Sequence, residues 1–303
     1  MARPSAPAPA LIEAALSETA ALMEQTLADL LPDPQGPEAR LMEAMRYASL
    51  GGGKRLRAFL TLQAGRLFGV DRRALARVAS AIECVHAYSL VHDDLPAMDD
   101  DDTRRGRPST HKKFDEAAAI LAGDALQSFA FELLSGHDTH PDPHVRVELV
   151  QGLARAIGAH GMAGGQMIDI ASENAEIDMV TLTRLQRLKT GALILFSVEA
   201  GAIMGRASGP ARHALQGYAQ DIGLAFQIAD DLLDAEGEAE AMGKAARKDG
   251  ARGKATFVKA LGVERARAQA EMLAKQAVQY LDMFDDKAAL LRAAADWVVG
   301  RRG

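Results

Sequence analysis

Six aspartates and three arginines fall within fifteen residues of the segment VHDDLPAMDDDDTRRGRPS: Asp93, Asp94, Asp99, Asp100, Asp101 and Asp102, then Arg104, Arg105 and Arg107. An α-helix turns by ~100° per residue, so on an unbroken helix Asp99 would point about 240° away from Asp93 and the two could share no ligand. The Leu95-Pro96 step supplies the break that would let them meet. A second acidic string, FQIADDLLDAEG, sets Asp230 and Asp234 four residues apart on one face of a continuing helix, with Asp231 beside them and Gln227 one turn back. Carboxylates so spaced repel each other, and the Ile, Leu and Phe around them offer no local base. A cation is expected among them. Magnesium suits hard carboxylate oxygens, keeps several waters and is usually completed by substrate phosphates. No DxDxDG loop occurs, which excludes an EF-hand calcium site.

Basic residues lie where a multiply charged anion would need them. Gly51-Gly52-Gly53-Lys54-Arg55-Leu56-Arg57 joins a glycine turn to a helix start, with Lys54 and Arg57 three apart on one face, an arrangement suited to an anion. It is no nucleotide-triphosphate loop, because Lys54 is followed by Arg rather than Ser or Thr and no strand precedes it. Lys189-Thr190 lies in RLKTGALI, and Lys244, Arg247, Lys248, Arg252 and Lys254 follow the second acidic string. His86 stands two turns before Asp93 and so shares its face. Metal bridges from the aspartates and direct bonds from Lys and Arg together describe a diphosphate site. Each element has a plainer reading: a solvated acidic patch, a glycine turn with solvated bases, a packed core histidine. Two acidic strings on otherwise apolar helices, with bases beside both, favour chemistry.

The elements that must carry these residues are helices. Strand-type alternation is almost absent, and apolar residues recur at three- and four-residue spacing from Leu11 onward, punctuated by Gly and Pro. The pattern predicts about eleven helices, near 9–31, 37–49, 55–68, 71–94, 114–135, 143–159, 161–173, 178–205, 209–236, 253–281 and 286–299. Val78, Ile82, Val85 and Ser89 share one face of the fourth, and Pro96 ends it. No fixed repeat and no long Ser/Gly linker divides the 303 residues, so one all-α bundle around a central cavity, residues 9–303 behind a flexible segment 1–8, is the expected single domain. The apolar runs at 114–135 and 178–205 suit buried helices or a subunit contact, and a homodimer is expected. A net charge of −6 disfavours general nucleic-acid binding. The lone Cys84 excludes an internal disulfide, no run of ~18 apolar residues suggests a membrane span, and the opening MARPSAPAPA lacks a signal-type apolar core; a cytoplasmic protein is expected.

GGGKRLR, HDDLPAMDDDDTRRGRP, GGQMID, LKTG, FQIADDLLD and the later Lys-rich segment occur in one order over nearly the whole chain. In that order and spacing the sequence resembles the trans-isoprenyl diphosphate synthases, and among them the bacterial farnesyl diphosphate synthase (geranyltranstransferase) branch, because the first motif is lengthened around Pro96 and Ala97 to DDxxxxD. The resemblance implies a fold of the isoprenoid synthase type and a head-to-tail prenyl transfer. An allylic diphosphate (dimethylallyl or geranyl) ionises, isopentenyl diphosphate attacks the carbocation through its double bond, and a proton leaves. It implies that Asp93, Asp94, Asp99, Asp230, Asp231 and Asp234 hold three magnesium ions against the allylic diphosphate. Arg104, Lys189 and Lys244 would contact the same leaving group, with Lys254 nearby. Lys54, Arg57, His86 and Arg105 would hold isopentenyl diphosphate, and Thr190 and Gln227 would face the reacting centre.

The same resemblance reads product length from Tyr88, five residues and about 7.5 Å before Asp93, with Ser89 beside it. A ring at that depth would stop growth early and favours (E,E)-farnesyl diphosphate over geranyl or geranylgeranyl diphosphate. Two departures stand out: Ala58 where the family has Pro, which would loosen a helix start, and Ala255 in place of a Ser near the closing lid. Gln166 and Asp169 match a supporting GQxxD element. A class I terpene cyclase shares the scaffold but binds one diphosphate and needs neither GGGKRLR nor Arg105. A non-catalytic subunit of a heteromeric synthase would be expected to have lost part of an acidic motif, and this chain keeps both.

Overall fold

Three aspartates start α-helices around the candidate site. The carboxylate of Asp71 accepts from the backbone N–H groups of Arg73 (2.9 Å) and Ala74 (3.1 Å), that of Asp115 from Ala118 (2.7 Å) and that of Asp178 from Thr181 (2.7 Å). Each satisfies donors that a helix leaves unpaired in its first turn. A computed structural model of the chain describes residues 9–173, 175–244 and 256–301, the side chains of 9 and 237–244 excepted. The expected flexible segment 1–8 lies outside the described residues.

In chain order the elements are α1 (Pro9–Leu30), α2 (Ala39–Ser49), α3 (Leu56–Arg66), α4 (Arg72–Asp93), strands β1 (Thr103–Arg104) and β2 (Arg107–Pro108), α5 (Thr110–Lys113), α6 (Glu116–Ser135), α7 (Pro143–Ile157) and α8 (Met162–Ala171). There follow α9 (Met179–Gln186), a π-turn (Arg187–Gly191), α10 (Ala192–Met204), α11 (Gly209–Lys244), α12 (Phe257–Leu261), α13 (Val263–Tyr280), a 3₁₀ segment (Asp282–Ala288) and α14 (Ala289–Gly300). The all-α expectation holds, with differences of detail. The helix expected over 178–205 is present but carries the π-turn in its middle. That expected over 253–281 is divided at Gly262, whose φ of +80° suits glycine alone. The small hairpin, with Thr103 opposite Pro108 and Arg104 opposite Arg107, turns through Arg105 (φ +52°) and Gly106 (φ +73°). Two residues per strand are too few to register as an alternating pattern.

Internal contacts gather the chain into two compact units. An N-terminal unit comprises Glu13–Val150 with Ile203–Arg206, and a C-terminal unit comprises Gln151–Ala202 and Ala207–Gly303 with the residues up to Ile12. In the N-terminal unit α4 packs on α3 and α6. Val78, Ile82 and Val85 are fully buried as expected, yet so are Ala79, Ala81 and Cys84 on the other sides, so this helix is enclosed nearly all round. Small residues at Ala119, Ala122, Gly123 and Ala130 of α6 let the two helices approach. In the C-terminal unit α11 packs on α13 and α14, and the hydroxyl of fully buried Tyr218 donates to the Leu291 carbonyl (2.8 Å). Among the described residues two helices, α4 and α6, are long and apolar enough to cross a membrane; the apolar stretch of α4 is 72% buried in the fold, that of α6 only 39%.

Asp71→Ala removes the cap that sets the start of α4 and is expected to lower stability by about 1 kcal/mol. Asp71→Ser should restore most of the loss. Urea melts of the three proteins read the difference.

Candidate active site

The helix bearing the first acidic string ends where the string begins. Asp93 closes α4 and Asp94 caps it. The chain then turns back on itself: Asp99 N–H donates to the Asp93 carbonyl (2.8 Å), Asp100 N–H to Leu95 (3.0 Å) and Asp101 N–H to Asp94 (3.2 Å). This is the deformation at Leu95-Pro96 that bringing Asp93 and Asp99 together requires. Asp94 is buried, and its carboxylate accepts from Arg104 Nε (2.9 Å) and Nη2. Burial raises its pKa, while the bonds and charge of Arg104 pull the other way. Arg104, expected on a leaving diphosphate, thus serves as the internal partner of Asp94. Among the described residues, carboxylate and imidazole atoms within 4.8 Å of one another belong to Asp100, Asp102 and His111, and Lys112 Nζ lies 2.8 Å from Asp102. This grouping was not selected from the sequence; the run of four aspartates was its one signal.

The glycine turn and the hairpin are fitted together. Gly51, Gly52 and Gly53 have φ of +91°, +108° and +108°. A Cβ at Gly51 would stand 2.1 Å from Arg107 Nη1 and one at Gly53 2.9 Å from Arg105 Cζ. Arg105 Nη1 donates to the Gly52 carbonyl (2.8 Å). Glycine is therefore favoured at all three positions by backbone conformation, and at Gly51 and Gly53 it also leaves room for the guanidinium groups where they stand. Behind the turn, buried Arg55 donates to Glu83 (3.0 Å) and to the Ser49 carbonyl (2.6 Å). The other Glu83 oxygen accepts from Ala58 N–H (3.2 Å). The helix start that Ala58 was expected to loosen is thus fastened, by an N–H that proline would lack.

A patch of guanidinium groups results. Arg57 Nη1 lies 3.5 Å from His86 Nε2, and the His86 imidazole is held well below its ordinary pKa, first by burial and then by the charges of Arg57, Arg105, Arg55 and Arg104. Ser89 Oγ donates to the His86 carbonyl (2.9 Å). Lys54 is exposed and Tyr88 buried. One cleft of this unit is lined by Gly51, Ala87, Leu90, Asp94, Arg104 and Arg105, so the acidic string and the cationic patch border the same space.

In the C-terminal unit the π-turn carries Lys189 and Thr190. Such turns insert one extra residue into a helix and often mark functional positions. Gly165 of α8 is needed beneath it, because a Cβ there would stand 2.2 Å from Lys189 N. Lys189 Nζ donates to Asp169, which gives the GQxxD element its supporting part, and Gln166 Oε1 is buried without a hydrogen-bond partner. Thr190 Oγ1 donates to Gln227 Oε1 (3.1 Å), Gln227 Nε2 to Asp231 Oδ1 (3.0 Å), and Phe257 N–H to Asp231 Oδ2 (2.8 Å). Burial, with the nearby charges of Asp234 and Asp230 adding to it, pushes Asp231 up to about 6 against the bonds from Phe257 and Gln227. Arg301, not foreseen because some seventy residues separate it from the acidic string, pairs with Asp230 (2.9 Å) and lies over the Phe226 ring (4.2 Å). Asp234 is exposed; Lys244 ends α11 without a described side chain; Lys254, Arg247, Lys248, Arg252 and Ala255 lie outside the described residues.

The donor chemistry fits magnesium. Asp94 and Asp231 are both buried carboxylates whose charge is disfavoured where they stand, and each lies in an aspartate-rich string whose hard oxygen donors suit a compact divalent cation.

A sequence model described as polyprenyl synthetase matches residues 38–295. The chain is 46% identical over 269 residues to the farnesyl diphosphate synthase of Escherichia coli K12, covering 86% of this chain and 89% of that protein. It is 40% identical over 291 residues to that of Geobacillus stearothermophilus, covering 96% and 98%. The crystal structure of an FPP/GFPP synthase from Zymomonas mobilis superposes with a TM-score of 0.88 at 50% identity, covering 97% of this chain and all of that one.

Because burial and neighbouring cations depress the pKa of folded His86, the neutral ring contributes stability above the unfolded value of about 6.5 that is lost as pH falls below it. His86→Gln should therefore lose less stability than the parent between pH of about 7.5 and about 5.5, as measured by urea unfolding at both.

Proposed function

Because the chain belongs to the polyprenyl synthetase family, we propose that it condenses isopentenyl diphosphate head-to-tail with dimethylallyl or geranyl diphosphate, releasing pyrophosphate, with (E,E)-farnesyl diphosphate as the main product. The observation that carries this reading is the N-terminal cleft. It is bordered by Asp94 of the acidic string and by Arg104 and Arg105, two of the cations whose charge helps to keep His86 neutral. A reaction of two diphosphates needs a metal-binding edge for the one that departs and a fixed cationic seat for the one that stays. A cyclase acting on a single diphosphate needs only the first.

In this reading Lys54, Arg57, His86 and Arg105 bind the diphosphate of the isopentenyl partner. The glycine turn, pinned through Arg55 and Glu83, keeps those side chains fixed, so little reorganisation accompanies binding. The carboxylates of Asp93, Asp94, Asp99, Asp230, Asp231 and Asp234 would hold magnesium ions, three in number, which when bound supply positive charge for a departing pyrophosphate. Arg104, Lys189, Lys244 and Lys254 add direct bonds to the same group. The allylic C–O bond breaks with its electron pair on the diphosphate oxygen. The isopentenyl double bond then gives its π electrons to the allylic carbon, and the proton lost from the resulting cation passes to pyrophosphate. The chain supplies no nucleophile and no dedicated base. Gln227, whose amide is oriented by Thr190 and Asp231, presents its dipole to the cation, and Tyr88 stops the growing chain.

The motifs come from both units, and the family match spans both, so the two are read as parts of one catalytic domain. The half-exposed apolar face of α6, with Ile120 44% and Leu121 54% exposed, is read as the contact of a homodimer in the cytoplasm. A longer product is the second reading, favoured by the 50% identity to an FPP/GFPP synthase.

Incubation with dimethylallyl and isopentenyl diphosphates should release pyrophosphate only with magnesium present and give C15 alcohol after dephosphorylation. Release without isopentenyl diphosphate would point to a cyclase, and none under any condition to a non-catalytic subunit. Asp93→Ala and Asp230→Ala should each lower turnover by about 10²–10³-fold, the scale of one lost charge-stabilising group. Tyr88→Ala should lengthen the product, and an unchanged length would remove Tyr88 from that role.

A further inference from the structure

Tyr88 is held by more than the packing of its ring. Its hydroxyl hydrogen-bonds the side chain of Gln127 on α6. Its ring meets the His92 ring edge-on, one turn further along α4, with centroids 5.8 Å apart and planes at 69°. His92 Nε2 in turn lies 3.1 Å from the Ile120 carbonyl of α6. That imidazole fits only because residue 123 is glycine: a Cβ there would stand 2.1 Å from His92 Nε2. Gly123 is buried in a helix interior, where glycine is less favourable than alanine and so calls for a reason. Ile120, Gly123 and Gln127 follow one another at three- and four-residue spacing on one face of α6, and Tyr88 and His92 are four apart on α4. The two helices therefore clasp the tyrosine at two points, hydroxyl and ring face. An aromatic that merely filled core volume would need neither a partner for its hydroxyl nor a methyl-free slot for the histidine against it.

We propose that Gln127 and Gly123 of α6 are positioning residues for product length, acting through Tyr88: Gln127 by anchoring the hydroxyl and Gly123 by admitting the His92 ring that braces it. The inference rests on the reading of Tyr88 as the stop for chain growth. A tyrosine so clasped resists displacement by a lengthening prenyl tail, whereas one released on either side swings aside more readily and lets another isoprene unit be added.

The test is the ratio of C20 to C15 alcohol formed from dimethylallyl and isopentenyl diphosphates with magnesium. Gln127→Leu keeps the bulk but removes the hydrogen bond. It should raise the ratio about fivefold, the factor that corresponds to one neutral hydrogen bond of about 1 kcal/mol. Gly123→Ala should move it in the same direction, and Gly123→Ala combined with His92→Ala, which relieves the clash, covers the case in which the single variant does not fold. In a Tyr88→Phe background, Gln127→Leu should add nothing, because the hydroxyl it anchors is already gone. A parental ratio in Gln127→Leu, or an undiminished effect in the Tyr88→Phe background, overturns the proposal while Tyr88→Ala still lengthens the product. Failure of Tyr88→Ala itself to lengthen it would instead overturn the underlying reading of Tyr88.

Discussion

A carboxylate carried into an apolar helical setting must be matched by positive charge or, as at Asp231, by hydrogen-bond donors, and that constraint organises the candidate site. Arg104 covers Asp94, Lys112 covers Asp102, Lys189 covers Asp169 and Arg301 covers Asp230. Each pair lets an acidic motif fold before any ligand arrives. Each also sets up a competition, since a divalent ion entering such a group meets a guanidinium or ammonium already in place. Where a phosphate accompanies the ion, the displaced base has somewhere to go: its charge-assisted bonds pass from the carboxylate to the phosphate oxygens. The same side chains can thus stabilise the empty site and bind the filled one.

The opposite arrangement holds around His86. There cations crowd a group that could itself be charged, and the imidazole yields by staying neutral. Positive charge gathers around His86 and negative charge at the C-terminal end of α4, two turns further along the same helix, and the buried Arg55–Glu83 pair anchors the glycine turn beside the cations. Removing one member of such a buried pair is costly, about 3–5 kcal/mol in comparable cases, because the other is left uncompensated.

Much of this was legible in the residues alone. Helical periodicity gave the elements, Pro96 gave the break after Asp94, and the spacing of Asp230 and Asp234 gave their shared face. What could not be read came from partners distant in sequence. Nothing near Asp94 says that Arg104 will reach back to it, because that depends on a hairpin too short to show a strand pattern. Arg301 belongs to no recognisable motif and acquires meaning only when the fold sets it over Phe226 and beside Asp230. Ala58 looked like a weakness in the motif until Glu83, on another helix, was seen to use its N–H. The amphipathic reading of α4 failed for a related reason: alanines count as apolar on every side, and only the packed neighbours decide which sides are covered.

The π-turn at Arg187–Gly191 has a further consequence for how this helix tolerates change in length. It holds one residue more than a regular α-helix would in the same rise, so excising a single residue there would restore ordinary i to i−4 bonding and heal the bulge. Such a shortened helix could be more stable than the parent, yet every side chain beyond the cut would be rotated by about 100° relative to those before it. The irregularity thus works as a phase shifter between α9 and α10, and natural or engineered deletions at this point would trade helical regularity against the direction in which Lys189 and Thr190 project.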